Sequence, residues 1–134
     1  MLGELLGQGR AELTAYRVVS VDNGAATVAV SFRGAGTIVG AEYMEMGTYC
    51  SAPGSGGFLY GSGQGLLMSK AGGQASWIGH GIGKFKPAGG VSWRGAIDYQ
   101  NATNDLERLS GVVGVFEFET DAEDNATEAV WEWK

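Results

Sequence analysis

The chain has 134 residues, 44% apolar content and a net charge of −6, which suits one domain with one core and makes a poor partner for phosphate backbones. A single cysteine, Cys50, excludes an internal disulfide or a CxxC site. No apolar run reaches the ~18 residues of a membrane span, and Met1 to Gly7 lacks the basic start of a signal peptide. A single soluble, cytoplasmic domain over residues 1–134 is expected, with neither nucleic acid nor membrane as partner. Glycine is the outlier, 24 of 134 against a norm of ~7%. The glycines sit inside apolar segments, which argues for structured strands rather than a linker.

In chain order, Glu4 to Gln8 reads as one helical turn or as irregular chain. From Ala11 a period-two pattern sets in, with Leu13, Ala15, Arg17, Val19 and Val21 on one face. Asp22-Asn23-Gly24 is a hairpin signal. Thr27 to Gly34 is the returning strand, and Gly34-Ala35-Gly36 breaks or bends it. Ile38 to Cys50 reads as a third strand, and Ser51 to Gly57 as a loop. Three glycine-spaced strands follow, at Phe58–Ser69, Gln74–Lys86 and Gly90–Gln100. In them, Gly61-Ser62-Gly63-Gln64-Gly65 recurs 18 residues later as Gly79-His80-Gly81-Ile82-Gly83, with an echo at Arg94-Gly95-Ala96. Glycines two apart share one face of a strand, so a glycine band crosses this part of the sheet. The spacing is not the dinucleotide fingerprint, and no helix follows it. Asn101 to Ser110 holds Asp105-Leu106-Glu107-Arg108-Leu109, the one short internal helix expected. The last two strands are Val112–Thr120 and Thr127–Lys134.

Eight strands joined mostly by short turns predict an all-β fold. The expected form is an eight-stranded antiparallel up-and-down barrel of calycin type, with the short helix before the last two strands. Closure removes exposed edges, and eight strands leave an interior that is packed or holds one small ligand. A β-sandwich is the alternative. Strand parity gathers Leu59, Leu67, Trp77, Phe85, Val91, Trp93, Ile97 and Tyr99 on one face. Phe116, Phe118, Trp131 and Trp133 join it if the later strands keep phase. The other face carries Ser62, Gln64, His80, Arg94, Asp98, Glu117, Glu119 and Glu132. Burying a large apolar side chain gains roughly 1.5–3 kcal/mol, and burying an unpaired charge costs more. The aromatic and glycine face is therefore placed inward.

On that placement Tyr49, Trp77, Trp93, Tyr99, Phe116, Trp131 and Trp133 are the candidate ligand-binding residues, with Trp131 and Trp133 either core packing or a pocket floor. Arg17 and Glu45 also fall on apolar-leaning faces. Pointing inward they must pair, because isolated buried charges are not tolerated. Glu45, Tyr43 and Arg17 are then the candidate acid/base set. The alternative is a bulge that turns Glu45 to solvent. His80, the only histidine, has no second His or Cys with which to hold a metal. In register with Gln64 and Arg94 it forms a polar stripe on the outer face. Leu66, Met68, Ile78, Ile82, Val113 and Val115 leave apolar patches outside, from which a homo-oligomer, dimer or trimer, is expected.

The Gly-x-Gly strands, the meander and the aromatic interior resemble the allene oxide cyclase and dirigent-like barrels. Gly81-Ile82-Gly83-Lys84-Phe85 is similar to their glycine-spaced strands, and the likeness spans Leu13 to Trp133. The chain is also similar to small uncharacterised prokaryotic proteins ending in Trp-Glu-Trp-Lys. The barrel resemblance implies a cofactor-free cavity in which an apolar substrate is shaped for cyclisation or isomerisation. Three functions stay open: a barrel that binds an apolar or aromatic small molecule, a cofactor-free cyclase or isomerase using Glu45 or a neighbouring Tyr, and a structural protein whose barrel is filled by its own side chains.

Overall fold

Period-two alternation and tight turns carry the chain through eight strands in the computed structural model, which describes residues 1–134. They are β1 (Leu2–Asp22), β2 (Ala25–Ile38), β3 (Ala41–Pro53), β4 (Leu59–Ser69), β5 (Gln74–Phe85), β6 (Val91–Gln100), β7 (Val113–Thr120) and β8 (Asn125–Trp133). Each pairs antiparallel with its sequence neighbour, and β1 closes onto β8. The result is the expected closed up-and-down barrel. No helix is long and apolar enough to cross a membrane.

Three elements differ from the sequence reading. The N-terminal residues Leu2 to Gln8 are strand rather than a helical turn, because they supply the edge that seals β8. Gly34-Ala35-Gly36 does not end β2; its pairing with β3 runs unbroken to Ile38. The turn comes instead at Val39-Gly40, with φ of 43° and 80°. Asn23-Gly24 makes the same kind of turn, at 52° and 80°. A β-branched residue is rarely found there, which is why Val39 reads as strand. The expected helix is a 3-10 segment, Asn104–Leu109.

That segment plugs one end of the barrel. Leu106 and Leu109 are fully buried, joined by Val112 and Leu67. Ser69 Oγ donates to Asp105 Oδ1 at 2.6 Å and accepts from the Gly73 N–H at 2.7 Å. Outside the plug, Arg108 reaches Glu4 at 3.2 Å and Glu132 at 2.6 Å, tying the segment to β1 and β8. At the opposite mouth there are hairpin turns and the three-residue 3-10 segment Ser55–Gly57, and the inward-facing Val28, Ser51 and Val91 stay half-buried. There Tyr16 donates to Asp124 Oδ1 at 2.5 Å.

The inward face follows the predicted parity from β4 to β7. Leu59, Leu67, Trp77, Trp93, Tyr99 and Phe118 are all buried. Phe85 belongs to that parity but lies past the rim, 68% exposed. In β8 the phase is reversed. Phe116 pairs with Val130 and Phe118 with Glu128, so Ala126, Glu128, Val130 and Glu132 share the inward side. Trp131 and Trp133 point outward, and Trp133 is 55% exposed. Placing rings inside and carboxylates outside fails on this strand because the barrel encloses a carboxylate of β8. In β1 the cause is different. The register slips between Leu13 and Ala15, so Leu13 pairs with inward Phe32 while Arg17 pairs with Ala29 on the outer side. A bulge reverses the face of everything beyond it.

A buried carboxyl pair in an aromatic chamber

The glycine band makes room, and indoles take most of it. A Cβ at Gly61 would start 2.7 Å from the Trp93 ring, and one at Gly47 2.8 Å from Trp77 Cζ2. These positions need glycine for close approach of a ring rather than for an unusual φ. Phe32 stacks on Trp77 at 6.2 Å between centroids and tilts against Phe118 at 5.1 Å. Tyr49 meets Trp93 edge-on at 5.5 Å. A cavity of about 100 Å³ remains among these rings, bounded also by Tyr43, Glu45, Tyr99 and Glu128.

Glu45 is inside. β3 pairs with β2 and β4 in continuous register, without the bulge that would turn this side chain to solvent. The residue is 7% exposed. Its expected partner is absent, because the β1 bulge leaves Arg17 exposed on the outer face. The group it faces is Glu128, which sequence reasoning did not single out. Glu128 as a residue is half-buried, yet its Oε1 is sealed from solvent. Gly34 makes the space for it: a Cβ there would lie 3.1 Å from Glu128 Oε1. Gly36 does the same for the Tyr43 hydroxyl, 2.9 Å from where its Cβ would be. The one sequence signal for Glu128 is that it alternates with Ala126 and Val130, small apolar residues suited to an interior.

Two carboxyl groups enclosed together cannot both ionise. Burial pushes Glu45 well above the usual carboxylate range, and the charge of Glu128 and the hydrogen bond between the two add to it. Burial also raises Glu128, but the contacts from Glu45 and Tyr43 partly offset that. The two groups therefore titrate as a pair, both held above the ordinary carboxylate value, Glu45 well above it. Tyr43 and Tyr99 are raised by burial and then by the two carboxylates, and Tyr49 by burial, so all three stay neutral. Trp77 Nε1 lies near Glu45 and favours its ionised form, without reaching hydrogen-bond geometry. Glu45 Oε1, Glu128 Oε1, Trp77 Nε1 and Trp93 Nε1 are all buried without a partner.

The structure thus brings Tyr43, Glu45, Tyr49, Trp77, Trp93, Tyr99 and Phe116 to one cavity and leaves Arg17, Trp131 and Trp133 out of it. His80 is exposed on the outer face, opposite Ser62 and Ala96 rather than in line with Gln64 and Arg94. Met44, Met46, Ile78 and Ile82 stand exposed on that same face.

No family model matches the chain, and no curated protein does. Solved structures do. A conserved protein of unknown function from Rhodopseudomonas palustris superposes with a TM-score of 0.79 at 10% identity, over 98% of this chain and 97% of that one. A protein with unknown function from Clostridium acetobutylicum gives 0.78 at 10% identity, over 98% of both chains. At that identity the likeness establishes the barrel and nothing about chemistry. Neither structure bears an allene oxide cyclase or dirigent name.

Proposed function

We propose that this barrel binds one compact, largely apolar small molecule between its aromatic rings and the Glu45–Glu128 pair. The observation that carries the reading is the cavity of about 100 Å³ bordered by buried carboxyl and indole groups that lack partners. Unpaired buried polar groups cost ~1–3 kcal/mol each and are rare in native interiors, so a ligand that pairs with them gains what these groups do not gain from the protein. The volume sets the size. Drug-sized ligands occupy ~300–1,000 Å³, whereas a cavity of ~150 Å³ holds a benzene. Native mass spectrometry of protein purified from its host, together with NMR titration with benzene, tests the reading. A co-purifying small molecule, or saturable shifts of the Trp77 and Trp93 indole signals, supports it. If nothing co-purifies and no signal moves, the barrel is a filled structural element.

A second reading rests on the asymmetry of the pair. Burial raises both carboxyls, Glu45 well above its ordinary value, so the pair can hold a proton on one group and offer the other as acceptor, a general acid next to a general base. That is the equipment of a cofactor-free isomerase or cyclase, the chemistry implied by the likeness to allene oxide cyclase and dirigent barrels. Turnover that survives Glu45→Gln would rule this out. The exposed Met44, Met46, Ile78 and Ile82 further favour self-association through the outer sheet, which sedimentation equilibrium measures.

A further inference from the structure

The chamber holds two carboxyl groups and no protein cation. None of the nine Lys and Arg is buried, and His80 lies outside. The inward residues of β1, β2, β4, β5 and β7 next to the carboxyl pair bring no ionisable group; Gly9, Gly34, Leu67, Trp77 and Phe118 stand there. Tyr43 and Tyr49 on β3 and Tyr99 on β6 are the other titratable neighbours, and Glu132 on β8 is held at the rim by Arg108, 2.6 Å away. A buried carboxylate without a counter-charge is costly. In this barrel it borders the same cavity as Phe32, Tyr49, Trp77, Trp93 and Phe118, and aromatic rings attract cations in desolvated sites.

We propose that the ligand of this chamber is a small organic ammonium ion, its charge against Glu45 and Glu128 and its carbon groups against the rings. The proposal rests on the ligand-binding reading and narrows it to one chemical class. A metal ion fits poorly, because hard cations take six or more oxygen ligands and no group of three His, Cys, Asp or Glu residues gathers in the structure. The two unpartnered carboxyl oxygens suit a compact cation, and the cavity of about 100 Å³ limits it to a few heavy atoms. One cation enters and pairs with one carboxylate charge of the pair; a proton leaves to water only where the pair was still fully protonated, and no covalent bond is made or broken. Uptake is consequently stronger at higher pH.

Titration of the intact protein with tetramethylammonium chloride tests this, against sodium chloride at equal ionic strength and against the neutral probes tert-butanol and benzene. The Trp77 and Trp93 indole NMR signals report binding. Tetramethylammonium is expected to bind at least about ten-fold more tightly than tert-butanol. It should bind more tightly at pH 8 than near pH 4.5, the ordinary value above which both carboxyls are raised. Glu45→Gln and Glu128→Gln should each weaken it about ten-fold or more. If benzene or tert-butanol binds and tetramethylammonium does not, the ammonium proposal fails and the binding reading stands. If none of the three binds the wild-type protein, both fail. Should a variant not fold, the wild-type pH dependence still decides: tetramethylammonium binding that does not strengthen between pH 4.5 and pH 8 overturns the proposal.

Discussion

The plugged end of the barrel and the chamber above it handle buried polar groups in opposite ways. At the plug, Leu106, Leu109 and Val112 fill the space, and the polar atoms among them are paired, Ser69 with Asp105 and with the Gly73 N–H. In the chamber, Glu45, Glu128, Trp77 and Trp93 each leave a polar atom unpaired. The same sheet and the same strands supply both regions. The plug is built for stability alone. The chamber gives up stability, and native proteins keep such departures where function requires them.

The largest expected effect is at the plug. Leu109→Ala removes a fully buried side chain and should cost about 2–5 kcal/mol in urea denaturation. A loss below about 1 kcal/mol would show that the plug is not what holds this end. The chamber should respond with the opposite sign. Both carboxyl groups are raised above the ordinary value of 4.5, so above that pH the folded protein binds more protons than the unfolded chain. Stability then falls as pH rises, until the folded-state titration is complete. Glu45→Gln removes that penalty. It should leave stability near pH 5 little changed and raise it at pH 8, by an amount on the order of 1–3 kcal/mol. A variant less stable than wild type at pH 8 would mean that the pair is a structural element like the plug. Next in size, Ser69→Ala leaves Asp105 and the Gly73 N–H unpaired at the plug. It should cost about 1–3 kcal/mol, and thermal unfolding would show it.

How far each region can be read from the sequence follows from the same contrast. From β4 to β7, glycines and rings alternate with polar residues, and period two alone puts Trp77, Trp93, Tyr99 and Phe118 inside. The plug is half legible: Leu106 and Leu109 sit three apart in a polar stretch, which suggests a buried helical face, though the segment is too short to be other than 3-10. The chamber is legible only on the β3 side. Glu45 stands out as a charge on an apolar face, but its partner does not. Recognising Glu128 requires accepting two outward tryptophans and an inward carboxylate on β8, against the rule that orders β4 to β7. Arg17 needs knowledge of a bulge at Thr14, and nothing local marks one. Sequence patterning records what stabilises the barrel; the carboxyl pair runs against stability and so runs against the pattern.

The smallest effect lies outside both regions and shows what an ordinary acidic residue of this barrel does. Glu119 accepts from Ser92 Oγ at 2.6 Å and from Arg94, with Lys86 at 3.5 Å. Partial burial raises its pKa, but the hydrogen bonds from Ser92 and Arg94 and the nearby positive charges outweigh that, and the net shift is downward. Its sign is therefore the reverse of the chamber's. Above the unfolded-state value the folded protein binds fewer protons at this group, so its contribution is present at neutral pH and lost on acidification through the folded-state titration. Because the network is partly exposed, solvent screening holds that contribution to about 1 kcal/mol or less. Glu119→Gln should accordingly lower stability slightly at pH 7, less so in high salt, and not at all once the pH has fallen through the folded-state titration. The wild-type profile then has two flanks, an acid one that Glu119→Gln softens and an alkaline one that Glu45→Gln flattens. If Glu119→Gln altered the alkaline flank instead, the outer network and the inner pair would be coupled through β7, and the separation between scaffold and chamber would not hold.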